Sequence, residues 1–231
     1  MTVKSAKNDL HGANSHDVER FNIKLVEAAK YALLRRLAPA MQHEIAGGFQ
    51  PLRMLTKVLD KRLQAAEPDI DALIKSSNSI NQLVCEASTV CIKLMAWLAP
   101  DKDDKLSVSD GIGESIKLLG TEFALRGFTI DVSAQPMAIK LAAGAFRQVF
   151  SICLIALTDL TLGPAHLSIS FREYEQGVLV MIRIDSVDGE KLHPRQAGYR
   201  SLDWDDVQIL ANFEGVSLKR LSSGADLIFR R

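Results

Sequence analysis

The feature that most narrows what this chain can fold into is a seven-residue rhythm in its first hundred residues. Met41, Ile45, Gly48, Leu52, Leu55 and Leu59 follow one another at steps of 4, 3, 4, 3 and 4, and Leu73, Ser77, Ile80, Val84, Ala87, Cys91, Leu94 and Leu98 keep the same rhythm. Residues at that repeat line one stripe of an α-helix, and an apolar stripe needs a facing helix. Between the two runs, QAAEPDIDA (64–72) carries stop and restart signals: Pro68 suits the first turn of a new helix, and acids follow it. The pattern predicts one helix over about 17–67, interrupted but not ended by Pro39 and Pro51, and a second over about 69–98, ended by Ala99-Pro100. Together they form an antiparallel hairpin spanning 17–99. Two helices bury little between them, so a homodimer that pairs two hairpins into a four-helix bundle is one completion. Cover by the rest of the same chain is the other. Residues 1–16 are polar and aperiodic and read as a flexible tail.

After the charged linker DKDDK (101–105) the pattern changes. SDGIGESIKLLGTEFALRG (109–127) reads as a helix capped by Ser109 or Asp110 and stopped by Gly127. FTIDVS (128–133) alternates as a strand does, and LAAGAFRQVFSICLIALTDL (141–160) is a strongly apolar helix. HLSISFREY (166–174) and GVLVMIRID (177–185) read as an antiparallel pair turning near Glu175-Gln176. LDWDDVQILANF (202–213) is helical, and GVSLKRL (215–221) with ADLIFRR (225–231) closes the chain as a hairpin. Helices covering one face of a mixed sheet give an α+β sandwich over 106–231. With 47% hydrophobic residues in 231, there is material for a sizeable core.

Several classes of function drop out. Lys+Arg and Asp+Glu both number 28, and zero net charge argues against a general nucleic-acid binder, which carries a basic excess. The longest apolar run falls well short of the roughly 20 residues needed to cross a bilayer. The start MTVKSAKNDLHGANSHD has no apolar signal segment, so the expected location is the cytoplasm, with no membrane partner. Cys85, Cys91 and Cys153 sit in apolar segments and form no C-x-x-C pair, so they read as reduced core residues rather than zinc ligands or disulfides. His11, His16, His166 and His193 share no metal-ligand spacing, and no G-x-S-x-G, H-E-x-x-H or P-loop is present. No resident metal is expected.

One histidine is different. With Met41 at heptad position d and Ile45 at a, His43 falls at f, the most exposed position. That fits a nucleophile whose partner is another protein, and it equally fits a plain solvated side chain. Glu44 follows as a carboxylate able to orient the imidazole and hold its proton, or as an ordinary surface acid. Gly47-Gly48 costs the helix about 1 kcal/mol per glycine relative to Ala, and Pro51 removes the bond to the Gly47 carbonyl. On the outward side lie Ala46, Gly47, Gln50, Met54 and Lys57. Small residues there would let a partner backbone approach His43, and Met54 would offer an adaptable apolar contact. A simple helix bend is the competing reading.

The segment QHEIAGGFQPLRML (42–55) resembles the phosphoacceptor box of sensor histidine kinases, in which a histidine is followed by an acid and then by Pro-Leu. His43-Glu44 and Pro51-Leu52 carry the resemblance, with the proline eight residues after the histidine, further than is usual. The order of elements over roughly 20–231 is similar to the transmitter core of that family, a dimerising hairpin followed by an ATPase-like sandwich. The resemblance implies that His43 is the phosphoacceptor, Glu44 its orienting acid, and Ala46, Gly47, Gln50, Met54 and Lys57 the docking surface for a receiver (response regulator) domain. Gly47 stands where the family often has the Asn or Thr that helps dephosphorylate the partner, so that activity is not implied.

The family's nucleotide boxes are depleted. The helix 146–160 has Ile152 and Ala156 where a magnesium-holding asparagine is expected, and an apolar side chain cannot ligate a hard cation. IRIDSVDGE (182–190) keeps Asp185 and Gly189 but has Val187 for the first glycine. GYRSLDWDDVQIL (198–210) has one glycine, and Asp203, Asp205 and Asp206 stand where phosphate would otherwise be welcomed. Ala156, Asp185 and Gly189 thus mark a degenerate nucleotide site. The expected function is that of a histidine phosphotransferase, similar to those derived from kinases. It relays a phosphoryl group between receiver domains through His43 without ATP hydrolysis. It needs no cofactor of its own, the receiver supplying magnesium. The alternatives are a non-catalytic receiver- or kinase-binding module and a divergent active kinase.

Overall fold

The computed structural model describes residues 6–133, 137–175, 177–187 and 200–230, with side chains from residue 16 onward. The hairpin consists of α1 (Ala6–Leu63) and α2 (Ile70–Leu98). At 58 residues, α1 is about 87 Å long. It runs unbroken through Pro39 and Pro51 and includes residues 6–16, which the sequence suggests as a tail. Pro68 lies outside the second helix rather than in its first turn: Asp69 is the N-cap, its carboxylate accepting from the Ala72 N–H.

The rhythm read from the sequence holds on α1 at Met41, Gly48, Leu52, Leu55 and Leu59 but not at Ile45, which is exposed while Glu44 is half-buried, and it needs more correction on α2. Leu73, Ile80, Ala87 and Leu94 do turn inward, but the intervening inward residues are Ser76, Leu83, Val90 and Trp97. Ser77, Val84 and Leu98 are exposed. The reason is geometric. A helix with two apolar flanks offers two interleaved 3-4 series, and the sequence reading mixed them. A methyl at Gly48 would lie 3.7 Å from the Ala87 Cα, in ordinary van der Waals contact, so Gly48 faces α2.

The second unit comprises β1 (Lys105–Ser107), α3 (Val108–Leu125), β2 (Phe128–Ser133), β3 (Lys140–Ala142), α4 (Ala143–Asp159), β4 (Ala165–Tyr174), β5 (Gly177–Ser186), α5 (Trp204–Phe213), β6 (Ser217–Leu221) and β7 (Gly224–Arg230). Its main sheet has the order β2-β4-β5-β7-β6 and is antiparallel except for the β2–β4 pair. Leu167, Ile169 and Phe171 point from β4 into the core, while His166, Ser168 and Ser170 face the other side. The fold class is the α+β sandwich that the sequence predicts. The short antiparallel pair β1–β3 is additional; three-residue strands leave too little alternation to read. Ser107, not Ser109 or Asp110, caps α3, accepting from the Asp110 N–H. Gly127 ends that helix with φ +78°, a left-handed conformation suited to glycine.

The halves are not independent. Val26, Ala29, Leu33, Leu37 and Met41 of α1 are buried in the same core as the sandwich, with α1 touching α3, α4 and α5. Ion pairs frame this contact. Lys30 meets Glu214 at 2.9 Å and lies over the Phe213 ring. Arg36 pairs with Glu122 and, at 3.3 Å, with Asp159, which also receives Arg126 at 2.7 Å. The linker is tied down as well. Arg147 holds Asp104 at 3.1 Å and Glu114 at 2.8 Å, and the Ala143 N–H donates to the Asp104 carbonyl. Cover by the same chain therefore applies to the stretch of α1 from Val26 to Met41, while the hairpin beyond Met41 keeps an apolar flank exposed: Ile45, Phe49, Val58 and Leu63 on α1, Ile70, Ile74, Val84, Met95 and Leu98 on α2.

Candidate functional site

His43 lies on the exposed side of α1, just past the point where the sandwich stops covering the helix. Ala46, Gly47, Gln50, Met54 and Lys57 are all exposed. His43, Gly47, Gln50, Met54 and Lys57 follow at steps of 4, 3, 4 and 3, so they form one column on the helix surface, with Ala46 beside it. Met54 is 67% exposed, an unusual position for so apolar a side chain. Nothing lies within 4 Å of where a Cβ on Gly47 would be. The surface below His43 is bare at one turn and apolar at the third.

Glu44 takes a different direction. Its carboxylate is half-buried and lies 2.5 Å from the Lys117 ammonium of α3, so the acid beside His43 is shared with the sandwich. Sequence reasoning missed Lys117. It sits on a helix 73 residues further along, and no local pattern marks it.

The residues assigned to a nucleotide site differ in burial where they are described: Ala156 is buried and Asp185 exposed. Ile152 and Ala156 lie in the core, as does every residue of α4 from Ala145 to Thr158. Neither side chain offers an oxygen to magnesium, so these residues do not fit the cation. Asp185 is exposed near the end of β5, paired in register with His166 of β4. Gly189 lies outside the described residues. Arg147, which opens the same helix, is committed to Glu114 and Asp104. Its burial opposes the charge, and the two carboxylates more than restore it, leaving its pKa raised. The acids at the start of α5 serve the helix itself. Asp203 and Asp206 form a reciprocal capping box, and Arg200 clasps buried Asp206 with two bonds of 2.7 Å. The Asp206 hydrogen bond raises the Arg200 pKa. Repulsion of phosphate by three free carboxylates thus overstates the local charge, because one of them is neutralised.

His166 bonds Thr129 Oγ1 at 2.9 Å and approaches Asp131 at 3.2 Å, and His16 is exposed. The side chains of His11 and His193 lie outside the described residues. Among the described residues no group of His, Cys, Asp and Glu could hold a metal ion. Cys153 is a core residue as expected, and burial pushes its thiol pKa well up. Cys85 is exposed and Cys91 half-buried, a correction that follows from the outward flank of α2. No helix among the described residues is long and apolar enough to cross a membrane.

No family model matches this chain, and no curated protein matches it. Solved structures do. The histidine kinase AdeS of Acinetobacter baumannii is 14% identical with a TM-score of 0.43, over 78% of this chain and 96% of that one. A histidine kinase from Burkholderia phymatum is 12% identical with a TM-score of 0.40, over 84% and 96%. The histidine kinase ThkA, in complex with the response regulator TrrA, is 13% identical with a TM-score of 0.40, over 93% of this chain and 65% of that one. Superpositions at these scores are partial, and the fold as described rests on element order and sheet register.

Proposed function

We propose that this chain is a histidine phosphotransferase of two-component signalling, passing a phosphoryl group between response regulator receiver domains through His43. The observation that carries the reading is the exposed column on α1: a histidine with open space one turn below it and an apolar anchor at Met54. A neutral imidazole is a good nucleophile toward phosphoryl groups near pH 7. Its nitrogen lone pair attacks phosphorus, the P–O bond to the donor aspartate breaks, and the electron pair leaves on that carboxylate. The receiver brings the magnesium, and this chain brings the nucleophile and a shaped surface. Burial of Ile152 and Ala156 in the core supports a relay that makes no use of ATP. In this reading Glu44 steadies the ring proton, and the protein works in the cytoplasm.

The same reading includes a homodimer. The apolar flank on α1 and α2 beyond Met41 is the second 3-4 series of the hairpin, and a partner hairpin would cover it. The test is transfer from a panel of phosphorylated receivers to the full chain and onward, with His43→Ala alongside. The proposal expects transfer to vanish in the variant while receiver binding survives. Receiver binding without transfer in the unaltered chain would instead favour a binding module.

A further inference from the structure

The ion pair between Glu44 and Lys117 places a cation of the sandwich at the edge of the phosphoacceptor face. Lys117 is 63% exposed along its side chain, and its ammonium lies 2.5 Å from the carboxylate of the residue next to His43. Its setting on α3 is bare. Gly113 and Gly120 stand four before and three after it, on the same helix face. A Cβ on Gly113 would meet nothing within 4 Å, and one on Gly120 only Ile116 of its own helix, at 3.8 Å. Lys117 therefore extends from between two glycines to Glu44 of α1, the residue after His43. Its base is fixed, because Arg36, Glu122, Asp159 and Arg126 bind α3 and α4 to α1.

We infer that Lys117 is the phosphate-facing cation that this chain contributes to transfer. The inference rests on the phosphotransfer reading and deepens it. Phosphoryl transfer leaves negative charge on the three non-bridging oxygens, and a positioned ammonium stabilises that charge. As the N–P bond to His43 forms and the P–O bond to the donor aspartate breaks, the Lys117 ammonium exchanges Glu44 for a phosphoryl oxygen. It keeps its protons throughout. The released Glu44 carboxylate then faces the imidazole, whose remaining N–H becomes more acidic on phosphorylation. The sandwich thereby takes part in the chemistry without binding a nucleotide.

The experiment uses the full chain and potassium phosphoramidate, a small donor that needs no receiver, followed by phosphorylated receivers. Lys117→Met should slow phosphorylation of His43 about tenfold while leaving KM for the receiver unchanged, and Lys117→Arg should recover most of the rate. The loss should persist in a Glu44→Gln background, because the cation acts on the phosphoryl group and not merely on Glu44. Equal rates for the unaltered chain and Lys117→Met, or loss of the Lys117 effect once Glu44 is Gln, would overturn the role of Lys117 and leave the relay reading standing. If neither phosphoramidate nor any receiver labels His43 in the unaltered chain, the relay reading fails and Lys117 with it. Circular dichroism and thermal melting of the variants separate these outcomes from misfolding.

Discussion

Around His43, α1 turns Ala46, Gly47, Gln50, Met54 and Lys57 to solvent; along α4, every residue from Ala145 to Thr158 is buried. The proposed transfer places chemistry on the first helix and none on the second, and their surfaces differ accordingly. The α1 face presents a histidine with open space one turn away at Gly47. The α4 helix has become core, with Phe146 stacked on Phe150 at a centroid separation of 5.1 Å and Ile152 and Ala156 where cation ligands are sought. A helix that must hold a hydrated cation needs a polar face open to a cavity. A helix buried on all sides can only support its neighbours. The contrast separates an exposed histidine face from a helix given over to the core.

Substitutions can break that contrast. The largest effect should come from His43→Ala, which should lower transfer by more than about a thousandfold, since the nucleophile itself is gone. Receiver binding, read by titration, should change little. Next, Val84→Glu puts a charge on the exposed flank of α2. If that flank is the dimer seam, sedimentation should show the dimer dissociation constant raised by about a hundredfold or more. Ala156→Asn tries to restore the missing ligand. The account expects no ATP binding by calorimetry and a loss of about 2 kcal/mol in denaturant unfolding, because an amide enters an apolar core without partners. Smallest, Gly47→Leu fills the open position below His43. It should raise KM for the receiver about tenfold with little change in stability, because nothing in the chain itself occupies that space.

Much of this was legible in the sequence. The hairpin, the alternating strands and helices α3 and α5 follow from periodicity, because each buries one face and the pattern records which, while α4, buried all round, shows as a continuous apolar run. The exposure of His43 follows from the heptad in the same way. What the sequence concealed are relations between distant segments. The assignment of α2 residues to an inward or outward flank depends on where α1 lies, so Ser77, Val84 and Leu98 were placed on the wrong one. The burial of Val26, Leu33 and Leu37 against the sandwich leaves no signature beyond an amphipathic helix. Lys117 reads as a surface lysine until folding brings it to Glu44. The acids of α5 were legible as helix caps, while the clasp of Asp206 comes from Arg200, a residue outside any helix or strand, where no periodicity marks a partner.

The central claim is that His43 exchanges phosphoryl groups with proteins and not with ATP. The direct measurement is to expose the full chain in parallel to labelled ATP with magnesium and to labelled phosphorylated receivers, then map the acid-labile phosphate by peptide mass spectrometry. The account predicts phosphate on His43 from at least one receiver and none from ATP. Robust labelling of His43 by ATP, or label from receivers on a residue other than His43, would contradict it.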